Sequence, residues 1–99
     1  MLTISDMFPE APTEVHFAMT LPSAACENVN AYGSFQALAI SASLIGYRVS
    51  VDDFNPDGSS SMVVTGSGTM ADALAFGSVA MVNAETFGMT FSPLMVVNI

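Results

Sequence analysis

Residues 47–65 read YRVSVDDFNPDGSSSMVVT. Tyr47, Val49 and Val51 alternate with Arg48, Ser50 and Asp52, the period of a half-buried strand. Asn55-Pro56-Asp57-Gly58 is a strong turn signal. Proline presets φ, the flanking Asn and Asp bond back to the backbone, and glycine accepts positive φ. Residues 59–65 return as a second strand carrying Met62, Val63 and Val64. The register of this hairpin is open, because a bulge at Gly58 would exchange the faces of Met62 and Val64.

A helix-like segment flanks the hairpin on each side. Upstream, Ala31, Phe35, Leu38, Ala42 and Ile45 fall at helical spacing and form one stripe. Gly33 costs about 1 kcal/mol relative to alanine, so the helix is expected to begin in earnest at Ser34. Gly46 closes it. Downstream, Gly66-Ser67-Gly68 leads into a second helix, with Thr69 and Asp72 forming a variant capping box. Met70, Leu74, Gly77, Met81 and Ala84 are expected on its inner face, with Asp72, Asn83 and Thr86 on the wet side.

A strand lies beyond each helix. Val15, Phe17 and Met19 alternate with His16, Ala18 and Thr20, and Leu21-Pro22-Ser23 ends the run with Ser23 as a candidate cap. Met89, Phe91, Met95 and Val97 form the last strand. Pro93 interrupts it, which suits an edge. The order β-α-β-β-α-β predicts an α+β domain, a ferredoxin-like split βαβ sandwich. It would have a four-stranded antiparallel sheet, two helices on one face, and the first and third strands central. Residues 1–13, with Leu2, Ile4, Met7 and Phe8, read as an N-terminal arm, and residues 14–99 as the single α/β sandwich domain. The second sheet face would show His16, Thr20, Arg48, Ser50, Asp52, Thr90 and Ser92.

Composition narrows function more than it narrows fold. Residues are 52% hydrophobic and only 10% charged, which argues against disorder and for a contact surface. Nine carboxylates stand against one basic side chain, Arg48, giving a net charge of −8. Such a chain repels phosphate backbones and anionic membranes and attracts basic proteins. Direct nucleic-acid and membrane binding are therefore not expected. Residues 37–46 form the longest apolar stretch, too short to cross a bilayer. The N-terminus lacks the pattern of a signal peptide, and Cys26 is the lone cysteine, so a cytoplasmic location is expected.

Motifs that would carry chemistry are incomplete. Asp53, Asn55, Asp57 and Gly58 match the opening of a calcium loop, but Val64 stands where the bidentate glutamate belongs. A hairpin turn explains them better. Residues 66–71, GSGTMA, fit the relaxed dinucleotide fingerprint, yet no basic residue is near in sequence, and a strand-to-helix loop is the expected role. His16 and Cys26 are the only residues of their kinds, and nothing marks an oriented base or an oxyanion hole. Eight methionines suit a plastic core. No catalytic residue, cofactor or metal is expected, and the chain does not read as an enzyme.

A non-enzymatic interaction protein that binds and masks a basic surface of a protein partner is the leading expectation. Asp6, Glu10 and Glu14 near the arm, and Asp52, Asp53 and Asp57 around the hairpin, are the candidate partner-binding residues. Small acidic proteins of phages and mobile elements, CRISPR inhibitors and other DNA mimics among them, resemble this chain in size and charge sign. The alternatives are a self-assembling shell or scaffold subunit, which would make it a homo-oligomer, and a regulatory or ligand-sensing subunit of a larger enzyme.

Overall fold

The computed structural model describes residues 9–98. Strand β1 (Pro12–Leu21) leads into a four-residue helix α1 (Ser23–Cys26) and then a long helix α2 (Val29–Leu44). Strands β2 (Arg48–Asp52) and β3 (Ser60–Thr69) follow, then helix α3 (Met70–Phe87) and strand β4 (Thr90–Val97). The four strands form one sheet in the order β2-β3-β1-β4, with every neighbouring pair antiparallel. The first and third strands are therefore central, and Pro93 lies on an edge strand opposite Phe17. No helix among the described residues is long and apolar enough to cross a membrane.

Alternation along β1 builds the core. Val15, Phe17, Met19 and Leu21 are buried on one face, alongside Met62 and Val64 of β3. The hairpin register pairs Val49 with Val64 and Val51 with Met62, which fixes the faces that sequence left open. Both long helices cover this face. Ala31, Phe35, Leu38 and Ala42 of α2 and Ala73, Phe76, Ala80 and Ala84 of α3 join the same cluster. Phe17 is fully buried, stacked on Phe76 at 5.7 Å and edge-on to Phe91 at 5.7 Å.

Several local expectations change. The helical region divides in two, because Asn28 caps α2 by accepting from the backbone N–H groups of Asn30 and Ala31. Gly33 then lies inside an exposed helical turn, where its propensity cost is outweighed by the buried stripe on the opposite face. Ile45 is 42% exposed rather than part of that stripe, because the helix has already ended. In α3 the buried stripe is Met70, Ala73, Phe76, Ala80 and Ala84, and Met81 is half exposed. Alanine and methionine are interchangeable in a hydrophobic pattern, so the stripe could not be phased from polarity. Asn83, expected on the wet side, is half-buried and accepts a 2.5 Å hydrogen bond from Ser34 of α2.

The expected arm falls mainly on residues 1–8, which lie outside the described residues. The carbonyls of Pro9 and Ala11 accept from the N–H groups of Ala71 and Met70, so this part of the chain crosses the start of α3.

Candidate functional site

The β2–β3 connection is a tightly bonded loop. Gly58 N–H donates to Asn55 O at 2.7 Å, and Asn55 N–H donates to Ser59 O at 2.6 Å. Gly58 has φ of 87°, as the turn requires. Both the backbone N–H and the hydroxyl of Ser59 donate to one Asp57 oxygen, at 2.9 and 2.6 Å. Those two donors hold the Asp57 carboxyl below its ordinary range, the hydroxyl contributing most. The loop rests on α1, where Cys26 Sγ lies 3.6 Å from Ser60 Oγ.

Phe54 is the unusual residue of this loop. Its φ is 53°, in the left-handed region that a bulky side chain rarely adopts, and it is the sole non-glycine there among the described residues. Its N–H donates to Ser60 Oγ at 3.1 Å, which helps hold that conformation. The ring is 61% exposed and stacks on Tyr32 of α2 with centroids 5.6 Å apart. Tyr32 in turn stacks on buried Phe35 and donates its hydroxyl to Asp53 at 2.8 Å. That hydrogen bond to a carboxylate is the main reason its phenol titrates above the ordinary value. Beside this column, Phe35, Gln36, Ala39, Ile40 and Val51 line an apolar groove of about 330 Å³ with Asp53 among its walls.

The candidate carboxylates separate into two groups. Asp52, Asp53 and Asp57 are exposed at the hairpin end, and Glu27 is exposed just after α1. Glu14 is exposed on the open sheet face opposite Ser67 and Val96, near the other end of β1. Seven residues separate it from Leu21, roughly 24 Å along a strand. Glu10 is exposed at that far end too, and Asp6 lies outside the described residues. Tyr32, Phe54 and Glu27 were not candidates from sequence. The available signal was an aromatic residue set between Asp53 and Asn55 in a turn.

The open sheet face carries rows set by the register. One row runs Arg48, Thr65, His16, Leu94, and another Ser50, Val63, Ala18, Ser92. His16 is exposed there, whereas Cys26 packs against the core on the other side of the sheet, so the two do not meet. Among the described residues, no three His, Cys, Asp or Glu side chains converge to hold a metal ion.

Gly66, Ser67 and Gly68 are not a loop. They extend β3, paired with Val15, Glu14 and Thr13, and Gly66 and Gly68 form a seat for the Tyr47 ring. A Cβ on Gly66 would meet Tyr47 Cδ1 at 3.1 Å, and one on Gly68 would meet Cε1 at 3.5 Å. The first N–H groups of α3 are already taken by Ala11 O, Pro9 O and Thr69 Oγ1. A phosphate has no free donors there.

The chain matches no known protein family and no curated protein. The residues at the hairpin end therefore have to speak for themselves. They combine an exposed aromatic ring, three exposed carboxylates, an apolar groove and a loop with little freedom left to lose.

Proposed function

We propose that this chain is a non-enzymatic interaction protein whose hairpin end binds and masks a basic surface on a protein partner. Phe54 carries this reading. A bulky residue held exposed at positive φ, stacked on Tyr32 and flanked by Asp52, Asp53 and Asp57, is a costly arrangement for a mere turn. Backbone strain of this kind concentrates at sites of binding, and exposed aromatic anchors dominate interface energetics. A guanidinium or ammonium group can stack on the ring while the neighbouring carboxylates neutralise it. The groove beside Asp53 suits the aliphatic stem of the same side chain. Nucleic-acid-binding grooves are basic surfaces of this sort, and occupying one would give the behaviour of a phage or mobile-element inhibitor, an anti-CRISPR or DNA mimic. No cofactor and no direct contact with nucleic acid enter this mechanism, and it operates in the cytoplasm. We further propose that right-handed crossovers make the β2-β3-β1-β4 sheet a ferredoxin-like split βαβ sandwich.

Charge and apolar contact should divide the kinetics between them. Rim carboxylates act over about 8 Å at physiological salt and govern the association rate, whereas the buried ring governs dissociation. The test uses a partner captured from host lysate at low salt. The Asp52→Asn, Asp53→Asn, Asp57→Asn triple variant should associate more slowly and with a flatter salt dependence. Phe54→Ala should dissociate at least about tenfold faster at an unchanged association rate. Asp72→Asn, at the opposite end, should behave as the parent. A triple variant with the parent's association rate and salt slope would overturn the proposal.

A further inference from the structure

We infer that the outer edge of β2 takes up an extended segment of the partner as a fifth strand of the sheet, with alternate side chains of that segment entering the groove beside α2. This deepens the masking of a basic surface proposed above and rests on it. Among the described residues β2 pairs with β3 alone, so one side of its main chain has no sheet neighbour. Arg48, Ser50, Val51 and Asp52 are exposed along it. An open edge strand is a template for pairing, and proline or lysine on the strand is a common way to discourage it. The other edge strand, β4, carries Pro93 near its middle. Strand β2 has neither residue.

Three observations specify the occupant. The main chain is the first. A free ladder edge is satisfied by another extended backbone, because a helix keeps its N–H and C=O groups to itself. The groove is the second. Gln36, Ala39 and Ile40 of α2 face Val51 and Asp53 across a space of about 330 Å³. Ser34 of α2 bonds to α3, so the groove lies on the opposite flank of the helix, toward the β2 edge. A strand added about 4.8 Å outside β2 would direct every second side chain to this flank. Ile40, 62% exposed, and Val51, 39% exposed, would then gain an apolar cover. Charge is the third. Asp52 and Asp53 stand at one end of the edge, and Arg48, the chain's single basic residue, at the other. Antiparallel pairing is the more stable mode and joins every neighbouring pair in this sheet. It sets the amino end of the added segment beside the two aspartates. The segment that fits begins with two lysines or arginines and continues with an apolar residue at every second position. The β2 strand of a second copy offers one arginine only, on a chain whose net charge of −8 is repelled.

The probe is a capped octapeptide with two lysines at its amino end, followed by alternating valine and threonine. Its binding to the full chain is read by fluorescence polarisation and by amide hydrogen exchange. Saturation should slow exchange of the outward-facing amides within residues 48–52 at least about tenfold and leave residues 90–97 unchanged. Only one edge of an added strand faces β2. Methylating that set of alternate peptide amides should weaken binding at least about tenfold, whereas methylating the other set should weaken it less than about twofold. Ile40→Ser should weaken binding about fivefold, and Leu94→Ser, on β4, should leave it unchanged. No binding at millimolar peptide, slowed exchange at residues 90–97 in place of 48–52, or two methylated peptides that bind alike would each overturn the edge pairing. So would exchange at residues 48–52 that slows with protein concentration in the absence of peptide, which would put a second copy there. Masking of a basic surface is judged separately, by the aspartate triple variant and its salt slope. Two methylated peptides that bind alike would end the edge pairing and leave that reading standing.

Discussion

Gly58 couples the turn to the rest of the fold through a single missing side chain. Its φ of 87° suits glycine, and a Cβ there would lie 2.9 Å from Ser23 Cβ, a separation that atoms do not tolerate. Gly58→Val therefore meets both backbone strain and a clash with α1. It should destabilise the domain by about 2 kcal/mol or more in denaturant unfolding. A midpoint unchanged from the parent would mean that the loop repacks without α1. Phe54 differs, because its positive φ has no steric need behind it. Its conformation is held by the Ser60 hydroxyl, across the same loop, and by the Tyr32 ring, which is distant in sequence.

The β3 strand shows how an element can absorb a motif. Gly66 and Gly68 share one face of β3, and the missing side chains make room for Tyr47, which is 4% exposed. Its hydroxyl is buried without a hydrogen-bond partner, the sole such side-chain group identified among the described residues. An unpaired buried hydroxyl opposes folding, so Tyr47→Phe should stabilise the protein by about 0.5–1 kcal/mol in thermal melting. A loss of stability would show that the hydroxyl has a partner in solution. Titration gives a second readout on this element. Burial pushes the Tyr47 phenol up, with the Asp72 charge adding to it, and Tyr32 is raised by its bond to Asp53. These are the chain's two tyrosines. Their raised values mean that the stabilising contribution is fully present below the ordinary tyrosine pKa and disappears as pH rises through the folded values. Ultraviolet titration of the folded protein should accordingly give both midpoints above 10.0.

Over the whole molecule, nine carboxylates and one arginine leave charge repulsion uncompensated. Screening should relieve it, so the melting temperature should rise between low and physiological ionic strength. A flat or falling dependence would mean that local pairs, and not the net charge, dominate the electrostatics. Geometry moderates the repulsion by placing acidic groups at opposite ends of a body 41 × 26 × 19 Å in extent. That separation leaves the hairpin end, with Asp52, Asp53 and Asp57 exposed, strongly negative.

Alternation in β1 and β2, the Asn55–Gly58 turn, Pro93 at an edge and the order of elements were all legible in the sequence, because local backbone preferences and side-chain periodicity produce them. The absence of a basic patch was legible for the same kind of reason, since composition alone excludes it. Tertiary structure decided the rest. It set the hairpin register, the rotation of α3 about its axis and the role of Gly66 and Gly68, each of which depends on which face meets which neighbour. The candidate site was half legible. Asp52, Asp53 and Asp57 stand together in the chain, but Tyr32 reaches them only because α2 packs beside β2. An aromatic column 22 residues apart in sequence, from Tyr32 to Phe54, has no local signature. Long-range packing makes it, and packing is the one quantity that a linear pattern of polar and apolar residues leaves undetermined.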